Sequence, residues 1–263
     1  MPEHPFYADA PTPIPIAHRG GDAAGPEKEN SLVAFESAWL NGISYGETDT
    51  VATADGVALA IHGSRNARQE RQTGLPVRSQ LERMTFDEVQ RNVRVGGEQV
   101  PALEELFVTF PGMRFFVDPK TDNSVKPLAD LIKTYDLHDS VSVGAFNFAR
   151  TKAVAELSGD ARKLCKSIGV IGGLAFLGDQ IDFPLAAQYI RRSGATQFAV
   201  PHNRVNPPMV ERAHEHGLRV ILWTPNTEAE LARAFDTDAD GVMSDRTEMV
   251  KAMADARRAD SHL

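Results

Sequence analysis

Apolar and polar positions run through this chain in two rhythms, and the places where one gives way to the other mark its elements. Ile14-Pro15-Ile16-Ala17 is a short apolar run that reads as a strand, ending in His18-Arg19-Gly20-Gly21. Leu32, Phe35, Ala38 and Trp39 then recur at helical spacing, with Asn30 or Ser31 placed to cap the helix and Asn41-Gly42 to stop it. Trp39 falls on the stripe expected to be buried. From Glu47 to His62 the pattern changes to partial alternation rich in Val, Thr, Ile and Ala around Asp55-Gly56, the signature of a tight antiparallel hairpin. With a two-residue turn at Asp55-Gly56, both in positive-φ conformations, Ala54 lies opposite Val57 and Asp49 opposite His62. Glu47, Asp49 and His62 then share one face.

Residues 63 to 100 are polar, Arg-rich and weakly periodic, with a short helix around Thr85 to Gln90. They hold too few apolar residues for a core of their own and read as an excursion rather than a domain. From Pro101 onward strand and helix alternate regularly. Strands are expected at Arg114–Asp118, Ser140–Val143, Lys163–Ile168, Gln197–Val200, Arg219–Trp223 and Gly241–Ser244, and helices at 101–109, 124–135, 147–157, 184–193, 207–216 and 227–236. With the hairpin return set aside, eight strands alternate with helices over about 250 residues, the size of an α/β (β/α)8 TIM barrel. A doubly wound open sheet is the other α/β solution, and the lack of G-x-G-x-x-G after the first strand counts against it.

Composition narrows the picture. The 263 residues suit one large α/β domain, which we place at 14–250 with 51–100 as an insertion over the active-site face. Residues 1–13, with Pro2, Pro5, Pro11 and Pro13, read as an extended N-terminal arm, and 251–263 as a C-terminal tail. A net charge of −8 argues against nucleic acid or anionic lipid as a partner. No window approaches the length of a membrane span, so no stable membrane association is expected. The oligomeric state stays open. The arm lacks the basic start and apolar run of an export signal, and the single Cys165 allows no intramolecular disulfide, so the expectation is a cytoplasmic protein.

The candidate chemistry sits at strand ends, where a barrel collects its catalytic groups. His18 and Arg19 end the first strand, Glu47, Asp49 and His62 belong to the hairpin, Asp118 and Lys120 end the next strand, and Trp223 to Asn226 follow a later one. Two histidines, two fixed cations and hard carboxylate oxygens suit cleavage of a phosphodiester, which needs a base, an acid and positive charge around the phosphoryl oxygens. Close carboxylates cannot all stay ionised without a cation, and oxygen donors favour Mg²⁺ or Ca²⁺ over Zn²⁺. Trp223 could wall the barrel or pack on the alcohol. His138, His202, His214 and His216 read as solvated, and Arg65, Arg68 and Arg71 as a solubilising run that could also face the site.

At these residues the chain resembles the glycerophosphodiester phosphodiesterase family. The resemblance is carried by His18-Arg19-Gly20, Glu29-Asn30-Ser31, Glu47-Thr48-Asp49, Thr53-Ala54-Asp55-Gly56 with His62, Asp118-Pro119-Lys120, Trp223-Thr224-Pro225-Asn226 and Asp240-Gly241-Val242-Met243-Ser244-Asp245, in that order. It implies a barrel, a divalent metal on Glu47, Asp49 and Asp118, acid and base roles for His18 and His62, and Arg19 and Lys120 on the phosphate. The implied reaction is hydrolysis of a glycerophosphodiester to sn-glycerol 3-phosphate and an alcohol. Four positions depart from the family pattern: Gly63 stands where an Asp is usual, Pro26-Glu27-Lys28 are inserted or shifted, Asp118 replaces a Glu, and Pro119 lies inside the E-x-K element. Two alternatives follow, a phospholipase D-like activity on lysophospholipids and a phosphodiester-binding barrel of weak turnover.

Overall fold

The computed structural model describes residues 4–8, 10–161, 163–168 and 194–260. Strands β1 (Ile14–His18), β2 (Tyr45–Ala52), β6 (Arg114–Pro119), β7 (Val141–Ala145), β8 (Cys165–Ile168), β9 (Gln197–Pro201), β10 (Arg219–Trp223) and β11 (Gly241–Ser244) pair in parallel. β1 pairs with both β11 and β2, which closes the ring into an eight-stranded barrel among the described residues. The helix expected at 184–193 lies outside the described residues.

Side chains alternate along a strand, so one set of positions looks into the barrel and the other meets the helices. A Cβ on Gly46 would lie 2.9 Å from the Phe35 ring of helix α1 (Leu32–Leu40), so the other set of β2, Tyr45, Glu47 and Asp49, points inward. Tyr45 joins Ile14, Ile16, Phe116, Ile221 and Met243 in an interior apolar cluster. On β1, β2 and β6 the inward residues are apolar toward the N-terminal end and polar toward the C-terminal end, as in Ile14-Ile16-His18, Tyr45-Glu47-Asp49 and Phe116-Asp118. Two outer clusters between strands and helices hold the rest of the core.

The N-terminal arm is a plug rather than an extended strand. Pro5–Tyr7 form a 3₁₀ turn, and Phe6 and Tyr7 are fully buried in the interior cluster. Phe6 packs edge-on against Phe116 (5.0 Å) and Tyr45 (5.5 Å), and the Tyr45 hydroxyl donates to the Phe6 carbonyl at 2.8 Å. The apolar residues Phe6 and Tyr7, carried in an otherwise Pro-rich stretch, are what the extended reading passed over. At the other end, residues 251–260 are not a tail. They continue a helix, Thr247–Asp260, because Val250 and Ala254 lie one turn apart and bury together against the barrel.

The hairpin has β3 (Ala58–Ala60) antiparallel to β2, but its register differs by one residue from the expected pairing. Thr50 pairs with Ala60 and Ala52 with Ala58, so Asp49 lies opposite Ile61, not His62. The cause is a three-residue loop, Ala54-Asp55-Gly56, in which only Gly56 takes a positive φ (84°). Asp55 instead accepts hydrogen bonds from the Thr53 hydroxyl (2.6 Å) and the Phe86 amide (3.0 Å).

Past the hairpin, the insertion carries the ribbon β4 (Arg94–Val95) and β5 (Glu98–Gln99) with the helices α2 (Ala67–Thr73), α3 (Arg78–Leu81) and α4 (Phe86–Asn92). Its Leu81, Val89, Val93 and Val95 cluster with Val51, Leu59 and Ile61 of the hairpin, so the excursion borrows its core from the hairpin face that continues the line of Glu47 and Asp49. α4 begins at Thr85, in a reciprocal capping box with Glu88.

Candidate active site

At the C-terminal end of β1 the chain turns sharply through Arg19 and Gly20, both at positive φ. A Cβ on Gly20 would stand 2.7 Å from Ala34 Cβ, so only glycine lets the turn lie against α1. This turn aims two side chains inward. His18 Nδ1 is 2.6 Å from Asp245 Oδ1, and its Nε2 is 3.7 Å from Glu47 Oε2. Arg19 reaches Asp49 Oδ2 through Nε (2.9 Å) and donates to Glu29 Oε2 (2.7 Å), while its backbone amide donates to Glu47 Oε2 (3.2 Å). Asn30 locks the arrangement: its side-chain oxygen accepts from the Thr48 hydroxyl (2.8 Å) and the Asp49 amide (3.3 Å).

β2 and β6 place Asp49 directly beside Asp118, and Lys120 bridges them. Lys120 Nζ is 2.6 Å from Asp49 Oδ1 and 2.5 Å from Asp118 Oδ2. Pro119 is accommodated because its neighbour supplies the ladder bond, from the Lys120 amide to the Thr50 carbonyl at 2.9 Å. His62 comes to the same cavity although it has left the ladder. It is held by Arg78, whose Nε donates to the His62 carbonyl (2.9 Å) and whose Nη2 lies 3.0 Å from His62 Nε2.

Burial and crowding set the protonation states. Glu47 is pushed up to about 7, first by burial and then by the charge of Asp49. At Asp49 burial opposes ionisation, but Lys120 and Arg19 outweigh it and hold the carboxyl below its ordinary range. Burial also lifts Asp118, winning over the neighbouring Lys120. The Lys120 ammonium resists burial and rises to about 12 because Asp49 and Asp118 face it. His62 falls to about 3, mainly through burial, with Arg19, Lys120 and Arg78 adding to the effect and Asp49 opposing it. At His18 burial pulls the same way, but Glu47 and the Asp245 hydrogen bond prevail and the pKa rises.

These groups line one cavity of about 320 Å³. One wall is charged, with His18, Arg19, Glu47, Asp49, His62, Asp118 and Lys120. The other is apolar, with Phe116, Ala145, Phe146, Ile221, Trp223 and Met243. Trp223 and Phe146 meet edge-on at 5.8 Å, and Phe146 is 64% exposed at the rim.

His18, Arg19, Glu47, Asp49, His62, Asp118, Lys120 and Trp223 therefore reach a single site, whereas Arg68 and Arg71 do not line it. Arg65 of the basic run also lines it. Sequence reasoning assigned no role to Asp245, Asn226 or Glu29, although all three stand in the motifs quoted above, and it missed Arg78 and Phe146 altogether. Arg78 carries no local signal, since it sits in the weakly periodic stretch. Two further expectations fail. Trp39 is 41% exposed, its ring resting over Gly112. His138 is buried, within 3.2 Å of the Ser158 carbonyl. His214 is exposed as expected, although it also pairs with Asp240 at 2.9 Å.

Residues 18–249 match the glycerophosphoryl diester phosphodiesterase family. The chain belongs to that family. "Probable glycerophosphodiester phosphodiesterase 2" of Mycobacterium tuberculosis is 28% identical over 254 residues, covering 93% of this chain and 91% of that protein. Lysophospholipase D GDPD1 of Homo sapiens is 26% identical, over 88% of this chain and 82% of its own length. Among solved structures, an Oleispira antarctica phosphodiesterase in complex with the product sn-glycerol-3-phosphate shares the fold, with a TM-score of 0.76, 17% identity, and 95% and 99% of the two chains covered.

The donor set of this cavity bears on whether it can hold a metal. Among the described residues no three His, Cys, Asp or Glu side chains are arranged to hold an ion, because Lys120 stands between Asp49 and Asp118. The donor chemistry nonetheless suits a hard cation. Three buried or half-buried carboxylates face one cavity, and burial together with the charge of Asp49 drives Glu47 toward neutrality, a strain that a hard cation would relieve.

Proposed function

We propose that this chain hydrolyses glycerophosphodiesters to sn-glycerol 3-phosphate and an alcohol, with a divalent cation, Mg²⁺ or Ca²⁺, on Glu47, Asp49 and Asp118 and with the acid and base work on His18 and His62. The observation that carries the reading is the convergence of both histidines, two permanent cations and three carboxylates on one wall of one cavity. A bound cation would polarise a phosphoryl oxygen and offset the repulsion between Glu47 and Asp49. Arg19 and Lys120 add fixed positive charge beside the phosphoryl oxygens, and burial keeps that charge from being screened by water. Asp245 and Glu47 orient His18 from two sides. Trp223 and the apolar wall receive the alcohol.

A second reading is favoured by that wall. Phe146 and Trp223 form an apolar rim on which the acyl chain of a lysophospholipid could lie, the activity named for the human relative. Turnover of glycerophosphocholine and of lysophosphatidylcholine, each with chelator and with Mg²⁺ or Ca²⁺ restored, separates these readings. We expect glycerophosphocholine turnover that chelator abolishes and either cation restores. Preference for the lyso-lipid would move the assignment to the second reading. Turnover undiminished by chelator would refute the metal, and binding of both without turnover would leave the weakly active barrel.

A further inference from the structure

We propose that Arg78 is a positioning residue that locks His62 in one ring orientation and one tautomer, so that His62 serves as a hydrogen donor through Nδ1–H and the proton acceptor is His18. The assignment of roles rests on the phosphodiesterase reading above, whereas the lock itself rests on geometry alone.

Arg78 grips both ends of His62, the backbone carbonyl through Nε at 2.9 Å and the ring through Nη2 at 3.0 Å from Nε2. A guanidinium has five donors, no acceptor and no accessible neutral form, so His62 Nε2 must offer its lone pair. A neutral imidazole that accepts at Nε2 carries its proton on Nδ1. The fixed cation at Nε2 also opposes a second proton there. Arg78 lies outside the lining of the cavity, whereas His62 is part of it, so the arginine stands behind the ring.

The backbone fixes this grip. The Ser64 amide donates to the Pro76 carbonyl (2.8 Å) and the Arg78 amide to the Ser64 carbonyl (2.9 Å), joining 62–64 to 76–78 as a strand-like pair. Gly63 belongs to the same device. Its φ is +58°, and a Cβ there would stand 3.0 Å from Arg78 Cγ and 3.2 Å from Leu81 Cδ1. The stem of the arginine thus occupies the space that a side chain at 63 would need. A side chain at 63 would be strained at this φ and would push the Arg78 stem out of its present place, so glycine there suits the arginine's grip.

His18 is wired the opposite way. Its Nδ1 faces the Asp245 carboxylate, which only accepts, so the proton sits on Nδ1 and the Nε2 lone pair is left toward Glu47 and the cavity. Both rings carry the same tautomer, yet His18 offers an acceptor edge and His62 a donor edge. A neutral histidine held as a donor steadies the developing charge on the departing oxygen without giving up its own proton, so the proton that His18 takes from the attacking water is the one that returns to the alcohol.

The test is the protonation pattern of His62 in full-length protein carrying isotope-labelled histidine, read by long-range proton–nitrogen correlation at mildly alkaline pH and assigned by the signals lost in His62→Gln. We expect Nδ1 protonated and Nε2 bare in the wild type. Arg78→Ala should release the ring to both tautomers and lower kcat on glycerophosphocholine by roughly 10- to 100-fold, the range for loss of an orienting partner, with KM within about twofold. Arg78→Lys, which keeps a donor for Nε2, should recover the tautomer and part of kcat. A wild-type ring protonated at Nε2, or ring signals unchanged in Arg78→Ala, would overturn the proposal. So would a rise in KM with the ring unchanged, which would make Arg78 a substrate ligand. A locked tautomer in a chain that turns over neither phosphodiester would refute the hydrolase reading and leave the lock standing.

Discussion

Replacing Asp245 by Asn should damage the enzyme more than replacing it by Ala, and the reason lies in the hydrogen bonds around it. Asp245 Oδ1 takes His18 Nδ1 at 2.6 Å, while Oδ2 accepts from Asn226 Nδ2 at 2.5 Å. Asn226 cannot turn its amide over, because its oxygen already accepts from the Ser244 hydroxyl (3.1 Å) and the Asp245 amide (3.0 Å). An Asn at 245 must therefore give its oxygen to Asn226 and present its NH₂ to His18. Nδ1 then has to accept, the proton moves to Nε2, and the acceptor edge toward the cavity is lost. Asp245→Ala removes only the orienting bond. A charge-assisted hydrogen bond is worth about 1.5–3 kcal/mol, and the carboxylate is 40% exposed, so solvent takes the value to the lower end and the loss in kcat to roughly tenfold. The wrong tautomer forfeits the base itself, about 10²- to 10⁴-fold. Steady-state kcat and KM on glycerophosphocholine for both variants, with cation affinity by calorimetry to show the carboxylates undisturbed, measure the difference. An Asn variant as active as the Ala variant, or more so, would refute the reasoning.

Three further outcomes are expected. Asp49→Asn should abolish Mg²⁺ or Ca²⁺ binding by calorimetry, and it should also lower stability by about 3 kcal/mol in urea melts, because Arg19 and Lys120 lose their buried partner; unchanged affinity would remove Asp49 from the ligand set. His62→Ala should be rescued by a nitrophenyl ester, whose leaving oxygen needs no donor, whereas His18→Ala should not; equal rescue would end the division of roles. Phe6→Ala, in the plug beneath the cavity wall that Phe116 lines, should cost about 3–5 kcal/mol and lower Tm by roughly 6–20 °C, as read by calorimetric scanning; an unchanged Tm would refute the plug.

The barrel was legible because each β/α unit declares itself locally, with a short apolar run followed by a helical stripe. What failed was whatever depends on distance. The hairpin register slipped because one side-chain bond, Thr53 to Asp55, turns a two-residue loop into three, and alternation alone cannot count loop residues. His62 still reached the cavity, since Arg78 and the 64–78 pairing carry it there from outside the ladder, but a local pattern has no means of naming Arg78. Phe6 and Tyr7 hid in a Pro-rich arm whose burial depends on the empty mouth of a barrel the arm itself does not encode. Trp39 shows the converse error: helical spacing put it on a stripe, and a neighbour as small as Gly112 let the ring lie at the surface.

The inward face of β2 also sets where this chain can gain or lose a residue. Glu47 and Asp49 look into the barrel only because Gly46 and its alternates look at α1, so one residue added between Tyr45 and Glu47 would turn both carboxylates outward, and one added between Glu47 and Asp49 would put the two on opposite faces. The tips at Gly56, Gly74 and Gly97 have open space around them, with nothing within 4 Å of an added Cβ, and each can take up extra length without moving a strand. Insertions and deletions selected for activity should therefore accumulate at those tips and vanish abruptly over the five residues from Tyr45 to Asp49, so that a library of single-codon insertions would trace the barrel's inner wall without any structure determination.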